Sequence, residues 1–140
     1  MTPAQAQRLK TVGPVARLVF ALLAEADAPL TAYELLWRLQ TQRGRSSPPS
    51  TIYRSLGALI DVGLAHRVAS LNAFVACTHA GEAHEPLFMI CEACGRVREA
   101  DIAAVAGQVR ADVERAHFKP SRFHFDIRGI CAGCRATNGG

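Results

Sequence analysis

The chain has 140 residues, of which 49% are apolar and 20% charged, and it carries a net charge of +4 at neutral pH. That apolar fraction excludes intrinsic disorder, and the length allows one domain or two small ones. The longest purely apolar run, Leu18 to Ala24, is seven residues, far short of the roughly 20 that cross a bilayer, and the polar first ten residues lack the apolar core of a secretion signal. A soluble, cytoplasmic protein is expected. Charge is unevenly spread: residues 1–76 hold eight Lys/Arg against four Asp/Glu, whereas residues 77–140 hold eight of each. The N-terminal part therefore suits an anionic partner, while most Cys and His lie in the C-terminal part.

Pro14 to Ala26 reads as a helix, with Val15, Leu18, Val19, Leu22 and Leu23 on one stripe. Thr31-Ala32-Tyr33-Glu34 has the spacing of a capping box and opens a second helix to about Gln42, with Leu35, Leu36 and Leu39 inward. A polar loop, Arg43 to Pro49, follows. Ser50 is expected to cap a third helix, Thr51 to about Val62, whose core face is Ile52, Leu56, Leu59 and Ile60. Gly63 ends it, and two strand-like runs follow, Leu64 to Ala69 and Ala73 to Cys77. Three helices and a β-hairpin make a winged helix-turn-helix, with the third helix entering the major groove of DNA. Thr51, Tyr53, Arg54 and Ser55 are then the exposed residues near its start, with Arg54 suited to a guanine edge or a phosphate and Thr51 and Tyr53 to phosphate oxygens.

Beyond Cys77 the pattern changes. Leu87 to Cys91 reads as a short strand and Arg96 to Ala100 as its partner. Asp101 should cap a helix to about Ala116, striped by Ile102, Val105, Val109 and Val113, and Arg122 to Ile130 alternates as a third strand through Phe123, Phe125 and Ile127. One helix cannot cover both faces of such a sheet, so a homodimer is expected. The fold class is α+β: a winged helix-turn-helix over 1–76, then a small α/β dimerisation domain over 77–140.

The most specific feature is a pair of C-x-x-C hooks, Cys91/Cys94 and Cys131/Cys134. Two such hooks offer four thiolates to one tetrahedral Zn²⁺, and Gly95 and Gly133 suit the tight turns they need. The long interval between the hooks implies a strand and a helix between them, so the metal would staple the far end of the domain to its middle. Two disulfides or a redox dithiol are the bland alternatives for such cysteines. The fifth cysteine, Cys77, has His66 directly opposite if the hairpin turns through a two-residue loop at Leu71-Asn72. His84 and Glu99 are candidates to complete a mixed sulfur, nitrogen and oxygen set that favours zinc over iron. His79 competes with His84; His117 and His124, with Glu99, are candidates for a third site. The bland readings are a small apolar Cys77, a wing histidine at phosphate, and a Glu99 that favours the start of the next helix.

The runs Thr51-Ile52-Tyr53-Arg54-Ser55-Leu56 and Gly63-Leu64-Ala65-His66-Arg67-Val68, with the two hooks, resemble the Fur family of metal-responsive repressors over residues 12 to 135. Thr31-Ala32-Tyr33-Glu34-Leu35-Leu36 and the Cys77/His84 pair are most similar to its zinc uptake regulator branch. The resemblance implies structural zinc on Cys91, Cys94, Cys131 and Cys134, regulatory zinc on His66, Cys77, His84 and Glu99, and base reading by Tyr33 and Arg54. It further implies about two zinc ions per subunit, a palindromic double-stranded DNA operator bound by a homodimer, and repression of zinc uptake genes, with no small-molecule substrate and no enzymatic activity. The histidine-rich run of the iron and peroxide sensors is absent; Glu82-Ala83-His84-Glu85 stands there instead. Trp37 and Gln40 replace charges that pair neighbouring dimers in some relatives. An iron or peroxide sensor, a metalloenzyme and a zinc-stapled protein-interaction module are the rival expectations.

Overall fold

A computed structural model describes residues 2–77, 85–121 and 123–138. The chain divides into two compact units, Met1–Glu82 and Ala83–Gly140. Among the described residues no helix is long and apolar enough to cross a membrane.

The first unit begins with a helix that the periodicity did not announce, α1 (Pro3–Leu9). It is started by a Thr2/Gln5 capping box with Pro at its N-terminus and has no buried residue; local capping rather than an apolar stripe creates it. Three further helices follow as expected: α2 (Pro14–Glu25), α3 (Ala32–Arg43) and α4 (Pro49–Asp61). The Thr31 hydroxyl accepts from the Glu34 N–H at 3.1 Å and the Glu34 carboxylate accepts from the Thr31 N–H at 3.2 Å, so the α3 box forms. Gly44 then ends α3 at φ +69°. The expected Ser50 cap is replaced: Pro48 occupies the cap position without a side-chain hydrogen bond, and Pro49 opens α4. Proline at the first helical position has φ preset and sacrifices no useful N–H.

These helices bury Val19, Leu35, Leu39, Ile52, Leu56, Leu59 and Leu64, each 2% exposed or less. Ala16 and Phe20 join the core from α2, while Val15, Leu18, Leu22 and Leu36 pack half-buried around it. Ile60, at 39% exposure, falls outside the core face assigned to it.

The wing pairs β1 (Ala65–Val68) antiparallel with β2 (Ala73–Ala76), and a 3₁₀ turn, Ala69–Leu71, with Asn72 in the left-handed region joins them. The connection is therefore longer than the two residues expected, and His66 faces Val75 rather than Cys77. The register differs by two, which keeps Cys77 on the same face as His66 because side chains alternate with period two. Leu30 exchanges two backbone hydrogen bonds with Phe74, at 2.8 and 3.0 Å, and locks the hairpin to the start of α3.

In the second unit the sheet order is β4 (Val97–Asp101), β3 (Pro86–Cys91), β5 (Phe125–Gly129), with β3–β4 antiparallel and β3–β5 parallel. A parallel pair needs a crossover, which α5 (Ala103–Arg115) supplies. The expected Asp101 cap is displaced by one residue: Ile102 occupies the cap position without a side-chain hydrogen bond, while Asp101, the last residue of β4, accepts at Oδ1 from the Ala103 N–H at 3.0 Å. Ala106 is the buried residue of α5, and Val105, expected in its stripe, is 58% exposed. Arg110 meets Glu85 at 2.6 Å and lies 4.8 Å over the Phe123 ring, which stacks on Phe125. A second short helix, α6 (Ala132–Asn138), closes the described chain. One sheet face carries Met89 opposite Arg98 and Ile127, both apolar side chains at least 40% exposed. These residues, with Ile130 and the first residues after it, line a groove of about 310 Å³.

Candidate metal centre and nucleic-acid face

Four sulfurs converge in the second unit. The first hook follows β3: the Gly95 N–H donates to the Cys91 carbonyl and the Cys91 N–H to the Arg96 carbonyl, both at 2.9 Å. Gly95 at φ +76° makes this turn, a conformation a side chain would strain. The Glu92 N–H donates to the Gly129 carbonyl at 2.8 Å and ties the hook to the end of β5. The second hook is built differently from the sequence expectation. Gly133 has no positive φ; it lies inside α6, and the Arg135 N–H closes the first turn onto the Cys131 carbonyl at 2.9 Å. Helical geometry brings Cys131 and Cys134 together because residues three apart share a face.

The sulfur atoms of Cys91, Cys94, Cys131 and Cys134 all lie within 4.8 Å of one another, and Cys94 and Cys131 are 3.9 Å apart. A tetrahedron with metal–sulfur bonds of about 2.3 Å has edges of about 3.8 Å. The residues present fit Zn²⁺. The electrostatics fit as well. The Cys131 N–H, 3.4 Å from the Cys91 sulfur, is the largest influence holding that thiol down to about 6 from the usual 9.0, with the Cys94 N–H second. Cys131 is also lowered, chiefly by the Cys134 N–H. Cys134 is pushed up to about 12, mainly by hydrogen bonding with the Cys131 sulfur and then with Cys91. Thiolates held this close repel one another, and a divalent ion removes that repulsion.

In the first unit, a His66 ring nitrogen and the Cys77 sulfur lie within 4.8 Å of each other, with Cys77 buried and His66 half-buried. The two-residue register difference thus costs the pairing nothing, since the partner two positions along the strand stays within reach. Glu99 stands on β4 opposite Phe88, half-buried. His84 and His79 lie outside the described residues. His117 ends α5 at φ +59° and His124 precedes β5, both exposed; among the described residues neither joins a group of three potential ligands within 4.8 Å.

Tyr33 is 79% exposed and Tyr53 62% exposed, and Arg54 is exposed beside it. Tyr33 and Tyr53 help line a pocket of about 110 Å³ with Ala32, Leu36, Pro49 and Ile52, where the first turns of α3 and α4 meet. Thr51 is half-buried. Ser55 departs from expectation: it is 6% exposed, and its hydroxyl donates to the Thr51 carbonyl at 2.8 Å. The helical period turns it inward beside Ile52 and Leu56, so it is unavailable to DNA. Two α3 side chains brace the intervening loop: Gln40 Oε1 accepts from the Ser47 N–H at 3.1 Å, and Arg43 donates to the Ser47 hydroxyl at 3.3 Å. Nothing in the local pattern marks Gln40 as a brace, because its partner lies across a turn.

No family model matches the chain. It is 30% identical over 130 residues to the zinc uptake regulation protein of Escherichia coli (strain K12), covering 92% of this chain and 75% of that protein. The crystal structure of holo XcZur superimposes with a TM-score of 0.81 at 33% identity, over 93% of each chain. A zinc uptake regulator complexed with zinc and DNA shares the fold along 100% of both chains, with a TM-score of 0.86 at 24% identity. Identity of that order across more than nine-tenths of the chain settles its kinship: the chain belongs to the Fur family of metal-responsive regulators, in its zinc uptake regulator branch.

Proposed function

We propose that the protein is a zinc-responsive transcriptional repressor of zinc uptake genes, a regulator and not an enzyme, which binds palindromic operators in the cytoplasm as a zinc-loaded homodimer. Exposed Tyr33, Tyr53 and Arg54 on the α3/α4 face, in a chain 30% identical to a zinc uptake regulation protein, support this reading most. Residues 1–76 act as the DNA-binding domain: Arg54 and Tyr33 read base edges, and Thr51 and Tyr53 hold phosphate oxygens. Residues 77–140 act as the dimerisation domain. The exposed Met89, Ile127 and Ile130 beside a groove favour burial against a second copy, since apolar surface of this kind gains by leaving water.

Each subunit takes about two zinc ions. The structural zinc binds Cys91, Cys94, Cys131 and Cys134, and when bound it supplies a cross-link without catalytic chemistry. The regulatory zinc binds His66, Cys77, His84 and Glu99. Four thiolates hold zinc more tightly than a mixed set, so the structural ion survives the scarcity that the sensor reports. Regulatory zinc favours the DNA-competent arrangement; a coupling of about 1–3 kcal/mol tightens operator binding some 5–150-fold. Gel shift of operator-length duplex across buffered free zinc tests this. Wild type is expected to bind only as zinc rises, and Cys77→Ser, with both hooks intact, not to respond. An equal response in both would make Cys77 a core residue and favour an iron or peroxide sensor of the same family. No duplex binding at modest salt would leave the interaction module.

A further inference from the structure

We propose that α1 is a strut between the sensing residue Cys77 and the recognition helix α4, with Gln5 and Arg8 as its positioning residues. This rests on the proposed zinc ligation by Cys77. The Gln5 amide nitrogen donates to the Cys77 backbone carbonyl at 3.2 Å. One turn later, Arg8 Nη1 donates to the Val62 carbonyl, at the C-terminal end of α4, at 2.9 Å. Residues three apart share a helix face, so one face of α1 touches both places. A cation at a helix C-terminus also meets the negative end of the helix dipole.

The neighbouring backbone is shaped for this contact. A Cβ on residue 63 would stand 2.8 Å from Arg8 Nη1, so Gly63 is what lets the guanidinium approach. Cys77 has a second connection to the same helix end: its N–H donates to the Leu64 carbonyl at 2.9 Å, and the Leu64 N–H donates to the Leu59 carbonyl at 2.8 Å. Both polar groups of the Cys77 backbone are thus tied to the last turn of α4, one directly through Leu64 and one through α1. A displacement of Cys77 when its thiolate takes up zinc is carried to the orientation of α4, whose opposite end bears Tyr53 and Arg54. Helix α1 has no fully buried residue, and although Leu9 packs half-buried against the core, its two long-range hydrogen bonds make it a connecting element as well.

Gln5 permits a clean test because its two side-chain atoms do different work. Its Oε1 accepts from the Thr2 N–H at 2.9 Å and caps α1, while its Nε2 reaches Cys77. Gln5→Glu keeps the cap and removes the donor. Full-length wild type, Gln5→Glu, Arg8→Ala, Arg8→Lys and Cys77→Ser would be titrated by fluorescence anisotropy, with and without saturating zinc. The probe is a duplex of about 30 base pairs, long enough for half-sites on successive turns, selected from random sequence by zinc-loaded wild type. The quantity read is the ratio of the two DNA dissociation constants, with zinc affinity measured separately in the absence of DNA. Gln5→Glu and Arg8→Ala are expected to lower the ratio at least about threefold from a wild-type value in the usual 5–150-fold range. Arg8→Lys, which keeps a donor and the charge, is expected to restore most of it. Zinc affinity without DNA should stay within about twofold of wild type, a span small against that coupling range. If both affinities fall equally and the ratio holds while Cys77→Ser loses it, the strut is wrong and the Cys77 reading stands. If Cys77→Ser keeps the ratio, Cys77 is not the sensor and the strut has nothing to transmit.

Discussion

Three glycines in the first unit make one substitution mean three things. Gly44 sits at φ +69°, and a Cβ there would meet nothing within 4 Å, so Gly44→Ala encounters only the left-handed backbone, a cost of about 1–2 kcal/mol. Gly63 is at φ +75°, and a Cβ there meets Arg8 Nη1 at 2.8 Å as well. The guanidinium, the far end of a flexible side chain, must shift to make room, which weakens its hydrogen bond to the Val62 carbonyl; a charged hydrogen bond is worth about 1.5–3 kcal/mol, and only part of that is lost. Gly63→Ala should therefore cost about 2–3 kcal/mol, the backbone contribution plus a discounted hydrogen bond. Gly57 lies inside α4, exposed and with open space around it; Gly57→Ala should stabilise by about 0.5–1 kcal/mol. Urea unfolding followed by far-UV circular dichroism and by Trp37, the single tryptophan, measures all three. In an Arg8→Ala background the excess cost of Gly63→Ala over Gly44→Ala should disappear, the signature of a coupled pair. Equal costs for Gly44→Ala and Gly63→Ala in the wild-type background would refute the steric coupling of residue 63 to Arg8.

Leu59→Ala removes a side chain with 0% exposure from the centre of the first unit and should cost about 2–5 kcal/mol in the same unfolding assay. Cys131→Ser should cut bound zinc by one ion per subunit, read by elemental analysis, and loosen β3, β5 and α6 together, read as faster amide hydrogen exchange, because the hooks join those elements. Lowering pH from about 8 to about 6 should weaken zinc binding, since protons compete for thiolates. Cys134, pushed up to about 12, must lose its proton to the buffer when its sulfur binds the metal anywhere in that range, so binding should release protons in calorimetry buffers of differing ionisation enthalpy.

Local rules determined a good deal of this protein. The capping spacing at Thr31 and Glu34, the stripes of α2 to α4 and the two hooks are short-range patterns, and each forms where its residues stand. The four-cysteine centre was legible because C-x-x-C brings two sulfurs together by local geometry alone, leaving the fold only to join the pairs. Where a side chain meets a distant partner, the tertiary structure decided. Wing register followed from a 3₁₀ turn and from the Leu30–Phe74 pairing, and period-two alternation then kept His66 beside Cys77 although the expected opposition was two residues off. Gly133 became helical because the second hook caps α6, which no spacing between cysteines specifies. Ser55 turned inward because the phase of α4 is set by packing of Ile52, Leu56 and Leu59. The contacts of α1 with Val62 and Cys77 span 54 and 72 positions of sequence; a helix without an apolar stripe gives no hint of its partners, and only the closing of the chain supplied them.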